Sequence, residues 1–92
     1  MRVHFFATFR PIVGNAQLDV PLADGATVQQ LAQWLVDHYP DMKEMLLDEH
    51  GHLSRRAHIF VDGRSARWLP AGIDTPLRAD QKIDVFPAVA GG

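Results

Sequence analysis

Lys82-Ile83-Asp84-Val85-Phe86-Pro87-Ala88-Val89-Ala90-Gly91-Gly92 is the stretch on which the fold turns. Ile83 and Val85 alternate with Asp84 and Phe86, the period-2 signature of a strand with one face toward a core. Pro87 is expected to end that strand, because proline lacks the N–H that a ladder needs. Ala88 to Gly92 is too short to make a packed element, and its two glycines have no side chain to bury. The expected organisation is a domain over residues 1–87 and a flexible, projecting C-terminal tail over 88–92, which can span at most about 17 Å.

At the other end of the chain Val3, Phe5, Ala7 and Phe9 alternate with His4, Phe6 and Thr8, which predicts a first strand. Pro11 and Gly14-Asn15 punctuate the chain, and Gln17 to Val20 alternates again before Pro21, so the opening reads as a hairpin with a short second strand. Val28, Leu31, Ala32, Leu35 and Tyr39 then recur at helical spacing. Thr27 and Gln30 can cap that helix reciprocally, and Pro40 closes it. A shorter helix is expected from Asp41, capped together with Glu44 and burying Met42, Met45 and Leu46. Asp48 to Arg56 is polar and reads as a loop. Ile59 and Val61 alternate with His58 and Phe60 before Asp62-Gly63, a strong two-residue hairpin signal, and a short fourth strand is expected around Ser65 to Trp68. Pro70, Gly72 and Pro76 make the next stretch irregular, with Leu77 as its core anchor. Two hairpin strands, a helix and further strands suit an α+β sheet with a helix on one face. If the first and last strands are neighbours, they run parallel and the helix lies in the crossover between them.

Composition narrows the function classes. Ninety-two residues, 47% hydrophobic and 22% charged, fit one small globular domain without a second core or an enclosed pocket for a large cofactor. Nine basic against eleven acidic side chains leave no electrostatic footprint for nucleic acid or anionic lipid. No run approaches a membrane span, and the start MRVHFFATFR carries no cleavable leader pattern, so a cytoplasmic protein is expected. Cysteine is absent, which removes disulfides, thiolate metal sites and any thiol nucleophile. His4, His50, His52 and His58 match no standard zinc spacing, and Asp48 and Glu49 define no general acid/base pair, so no metal and no bound cofactor are expected. Arg55, Arg56, Arg64, Arg67 and Arg78 read as solvated surface, and Trp34 and Val36 as the widened edge of the helix's apolar stripe. Arg10 has no role that the sequence reveals.

The chemistry is therefore sought at Gly91-Gly92. A backbone without Cβ can thread a narrow channel, so an activating enzyme can bring ATP to a carboxylate that has no steric cover. A carboxylate is a poor electrophile until adenylation makes its oxygen a leaving group; sulfur or an amine can then attack. The bland alternative is a terminus that happens to end in two glycines.

The strand MRVHFFATFRPIVG, the helix opening DGATVQQL, the segment IFVDGRSARWL, the stretch DTPL and the ending VFPAVAGG, in this order and spacing, resemble the small-subunit family of molybdopterin synthase. These are ubiquitin-like β-grasp sulfur carriers, related to the carriers of thiamine and of one cysteine-forming pathway. The likeness covers nearly the whole chain. It implies a mixed five-stranded sheet of order 2-1-5-3-4 and a C-terminal Gly92 that a ubiquitin-activating-type enzyme adenylates with ATP and that becomes a thiocarboxylate. It further implies a carrier subunit rather than an enzyme, with the catalytic residues on a large synthase subunit or a cysteine-synthase-like enzyme. The turn Ala79-Asp80-Gln81 departs from the family's usual glycine there, which puts the turn geometry in question. The extra segment from Asp41 to Arg56 favours the molybdopterin or cysteine type over the shortest, thiamine-type carriers.

With that strand order, Phe6, Phe60 and Phe86 sit on three adjacent strands and point away from the helix. They would form an exposed aromatic patch that, with Pro87, Ala88, Val89 and Ala90, meets the partner. Two other classes remain: a protein modifier that forms isopeptides through Gly92, and a plain β-grasp interaction module that uses the phenylalanines. The sulfur acceptor, whether molybdopterin precursor, cysteine precursor or tRNA, is left open because the partner chooses it.

Overall fold

The computed structural model describes residues 1–88. Among them five strands form one sheet of order β2-β1-β5-β3-β4, as the resemblance implies. They are β1 (Arg2–Phe5), β2 (Gln17–Asp19), β3 (Ala57–Val61), β4 (Arg64–Ser65) and β5 (Ile83–Pro87). The central pair, β1 and β5, is parallel, with Val3 opposite Ile83 and Phe5 opposite Val85; the other pairings are antiparallel. A parallel pair needs a long crossover, and α2 (Val28–His38) lies within it.

The helix forms where its spacing predicts. The Thr27 hydroxyl accepts from the Gln30 N–H at 3.1 Å, and the Gln30 side chain accepts from the Thr27 N–H at 2.8 Å, so two otherwise unpaired backbone donors are satisfied. Val28, Leu31, Ala32, Leu35 and Val36 are buried against Val3, Phe5, Ile59, Ile83 and Val85 of the sheet in one core cluster. Leu77 is fully buried as expected. It is pinned by backbone hydrogen bonds to Gly25 and Ala26, which tie the approach to β5 onto the start of α2.

Four expectations change. The first strand stops at Phe5 rather than running on to Phe9: Ala7 turns the chain with φ 53°, and Phe9–Val13 form a helix, α1. Pro11 sits at the third helical position, where its missing N–H costs no intrahelical bond, and Gly14 at φ 85° closes the helix onto the Arg10 carbonyl. Phe9 is buried by the helix, not by a strand. Secondly, Asp41 does not cap the short helix with Glu44. Pro40 starts a 3₁₀ turn (Pro40–Met42) one residue earlier, so Asp41 lies inside the turn, and α3 (Lys43–Leu46) follows from Met42 with no side-chain cap. Thirdly, the fourth strand is only Arg64–Ser65, because the chain tightens into a 3₁₀ turn over Ala66–Trp68.

The fourth change is that Pro87 does not end the sheet. The Val85 carbonyl accepts from Phe6 on the β1 side, so Pro87, two residues on, turns its missing donor toward the same side, where β1 has already finished. On the other side Ala88 donates to the Arg56 carbonyl at 2.7 Å. The ladder therefore continues one residue past the proline.

The remaining turns need no special residue beyond those present. Asp62 and Gly63 take φ 51° and 85°, as a two-residue hairpin between β3 and β4 requires. The turn Ala79-Asp80-Gln81 places none of its residues at positive φ; Gln81 donates to the Arg78 carbonyl at 3.1 Å and its side chain accepts from the Arg78 N–H at 2.7 Å. The family's glycine is dispensable here.

Candidate docking face

Side chains alternate across a sheet, so the residues out of phase with the core share the face opposite α2. In β5 these are Asp84 and Phe86; in β3, His58 and Phe60; in β1, His4, with Phe6 immediately beyond the strand end. Register sets them in two rows. His4, Asp84 and Phe60 are direct neighbours, and Phe86 lies opposite His58.

The structure brings the three predicted phenylalanines together. The Phe6 and Phe86 rings stack at 4.1 Å and 8°. Phe60 meets Phe86 edge-on at 5.3 Å and 85°. Phe86 is thus the middle member, and each ring remains half-buried. Pairs of this geometry contribute about 0.5–1.5 kcal/mol beyond area burial, so the patch is a fixed surface rather than three loose side chains. His58 tilts against Phe60 at 5.9 Å. Trp68, 85% exposed, does not cover the patch but extends it, lining a groove with His58, Phe60, Gly63, Arg64 and Ser65.

Arg10, silent in the sequence, has two contacts at the edge of this face. Its Nε donates to the Phe5 carbonyl at 2.9 Å, and its guanidinium carbon lies 5.4 Å from the centroid of Phe6. Helix α1 carries it there, so no reading that takes Phe9 as a strand residue could have placed it. Asp84 was also missed, although its phase was legible: a residue two before Phe86 in a strand shares its face. Its side chain is 9% exposed, with Lys82 Nζ at 3.8 Å from Oδ2.

Pro87 and Ala88 continue from the patch, both half-buried. Val89, Ala90, Gly91 and Gly92 lie outside the described residues. His4 and His58 stand on opposite flanks of β5, while His50 and His52 belong to a separate loop; among the described residues no three His, Asp or Glu side chains gather as a metal site. In that loop Asp48 accepts from the N–H groups of His52 and His50, at 3.0 and 2.8 Å. The His52 hydrogen bond is the main influence holding its carboxyl below the ordinary 3.8. Arg67 is not simply solvated surface. It donates to the carbonyls of Ser54 and Ala57, bracing the entry to β3, and burial, with Arg55 nearby, lowers its pKa from the ordinary arginine value.

Comparison with known proteins agrees with this geometry. The ThiS family matches residues 3–92. The chain is 32% identical over 92 residues to small archaeal modifier protein 3 of Haloferax volcanii, covering all of this chain and 98% of that one. The solution structure of the Haloferax volcanii HVO 2177 protein superposes with a TM-score of 0.84 at 32% identity, over 99% of this chain and 84% of the other. A candidate molybdopterin converting factor, subunit 1, from Pyrococcus furiosus gives 0.74 at 26% identity, over 96% and 95%.

Proposed function

The chain belongs to the ThiS family of ubiquitin-like sulfur carriers, and from that membership we propose that Gly92 is its reactive residue. In this reading a ubiquitin-activating-type enzyme transfers AMP from ATP to the Gly92 carboxylate, releasing pyrophosphate. Hydrosulfide sulfur from a donor then attacks the acyl carbon, AMP leaves, and a thiocarboxylate results. The chain is a carrier and co-substrate, not an enzyme. It binds no cofactor of its own, and ATP belongs to the activating enzyme. The compartment we propose is the cytoplasm, where such an enzyme has ATP.

The observation that carries the reading is the Phe6–Phe86–Phe60 cluster, whose middle ring, Phe86, immediately precedes Pro87 and Ala88, on a chain whose family match runs to Gly92. A rigid aromatic face is what a partner grips, and Phe86 is separated from Gly92 by only five residues. The sulfur acceptor we propose is a molybdopterin precursor held by a large synthase subunit, with the candidate converting factor as the supporting likeness. Cysteine formation through a cysteine-synthase-like partner, or tRNA thiolation, would use the same Gly92 thiocarboxylate.

A second reading, protein modification through Gly92 and target lysines, is favoured by the full-length similarity to small archaeal modifier protein 3. One experiment separates the two. Mass spectrometry of the chain co-produced with its activating enzyme should show a single oxygen-to-sulfur exchange at the C terminus. Its persistent absence, together with Gly-Gly remnants on cellular lysines that vanish when Gly92 is deleted, would replace the first reading by the second.

A further inference from the structure

The docking face has a polar centre that its aromatic rim does not explain. Asp84 sits on the central strand β5, between His4 on β1 and Phe60 on β3. Its residue exposure is 6%, and its Oδ1 is buried with no hydrogen-bond partner among the described residues. Lys82 is the nearest cation, but its Nζ lies 3.8 Å from the other oxygen, Oδ2, beyond hydrogen-bond distance, and the Lys82 side chain is 69% exposed. Such a pair is loosely held and contributes little in the free chain.

The carboxylate is therefore already largely out of water in the free chain, with Oδ1 left unpaired, and an apolar partner laid over Lys82 would leave that oxygen as it is. A partner that moves the exposed Lys82 side chain aside and brings a donor to this spot relieves that cost, which favours binding. Because the acceptor is anionic and flanked by aromatic rings, the chemistry that fits is a guanidinium, which can donate to a carboxylate while stacking on a ring. The chain shows that arrangement once already, with Arg10 over Phe6 while it donates to the Phe5 carbonyl. We propose that Asp84 is a specificity-determining residue of the docking face, accepting at Oδ1 a hydrogen bond from an arginine of the activating enzyme that packs against Phe60 and displaces Lys82. The inference rests on the docking reading above, and deepens it by naming what the partner must present.

The sign of one measurement decides it. Binding of the full chain to the adenylating enzyme encoded by the same genome is measured by calorimetry for the wild type, Asp84→Ala, Asp84→Asn and Phe60→Ala. Asp84→Ala is expected to weaken binding about 30-fold or more, the loss that follows from removing one member of a buried charge pair. Its urea midpoint should be equal to or above that of the wild type, since no bond to Oδ1 is lost in the free chain. Asp84→Asn, which keeps an acceptor but not the charge, should fall between. Tighter or unchanged binding of Asp84→Ala would show that the carboxylate is only a desolvation cost and would overturn the proposal. Wild-type affinity in Asp84→Asn would mean an uncharged donor and overturn the arginine. Phe60→Ala tells which level has failed: weakened binding there with an unaffected Asp84→Ala rejects this inference alone, whereas two unaffected variants reject the docking face itself.

Discussion

Replacing Phe86 by alanine should damage the face more than replacing either of its neighbours, because it alone touches both. The Phe6 ring lies 4.1 Å away in a near-parallel stack and the Phe60 ring 5.3 Å away at 85°. Taking about 0.5–1.5 kcal/mol for each aromatic pair, Phe86→Ala loses roughly 1–3 kcal/mol of pair energy, while Phe6→Ala and Phe60→Ala lose about half of that each. For a chain of this size 1 kcal/mol shifts Tm by about 4–8 °C, so the difference is measurable by circular dichroism or urea denaturation. Double-mutant cycles sharpen the claim. Coupling of Phe86 with Phe6, and of Phe86 with Phe60, should each reach roughly 0.5–1.5 kcal/mol, and coupling between Phe6 and Phe60 should be close to zero. A Phe6–Phe60 coupling as large as the other two would refute the geometry, since it would require those rings to meet without Phe86 between them. The same three variants, titrated against the activating enzyme, should rank in the same order, with Phe86→Ala losing about 2 kcal/mol or more of binding as a central hot spot.

Arg67→Ala should destabilise the chain by about 1.5–3 kcal/mol, because the carbonyls of Ser54 and Ala57 lose a charged donor together; Arg67→Lys should recover only part, since both bonds come from the one nitrogen Nη2 at the end of a stem longer than lysine's, and urea denaturation reads both. Ala7→Gly should raise stability by up to about 1 kcal/mol, since an L-residue at φ 53° carries about 1–2 kcal/mol of strain, of which glycine's greater unfolded freedom returns a part. A lowered Tm would show that the turn is not strained. Asp48 has a folded pKa below its ordinary 3.8, so its contribution is present in full above that value and is lost as pH falls through the depressed folded value. Wild type should therefore outlast Asp48→Asn in urea at neutral pH, the gap closing only in strong acid; a gap that widens as pH falls would reverse the sign and sink the assignment.

What could be read from the residues was whatever is decided locally. Thr27 with Gln30, and Asp62 with Gly63, each specify their geometry within four residues, and both form as read. The phase of Phe6, Phe60 and Phe86 within their strands was equally local; bringing the three together needed only the order of the strands. The misreadings come where tertiary packing outvotes a local pattern. Ala7 and Phe9 continue the alternation of Val3 and Phe5, yet the core requires Phe9 from a helix, and an alanine is held at positive φ to turn the chain there. Pro87 looked like a stop because a proline cannot donate. Whether that matters depends on which neighbour the missing N–H would face, and that is a property of the assembled sheet, not of the heptapeptide around it. Arg10 was illegible for the same reason, since its partners appear only once α1 exists.

In the proposed function, the parallel pairing of β1 with β5 lets one surface serve both docking and chemistry. β5 is the central strand, so its out-of-phase residues, Asp84 and Phe86, occupy the middle of the exposed face, with β1 supplying Phe6 on one side and β3 supplying Phe60 on the other. The same strand is the last of the described elements, and the Ala88 N–H, bonded to Arg56 at 2.7 Å, fixes the direction in which the chain leaves it. Four residues remain to Gly92, a reach of at most about 14 Å from that fixed point. On the proposed function, a partner that grips Phe86 confines the Gly92 carboxylate to a small volume beside its own bound surface, which raises the effective concentration of that carboxylate without a further contact. Had the sheet ended on an edge strand, the exit would lie two strand spacings, about 10 Å, from the middle of the aromatic face, and most of that reach would go to covering the distance.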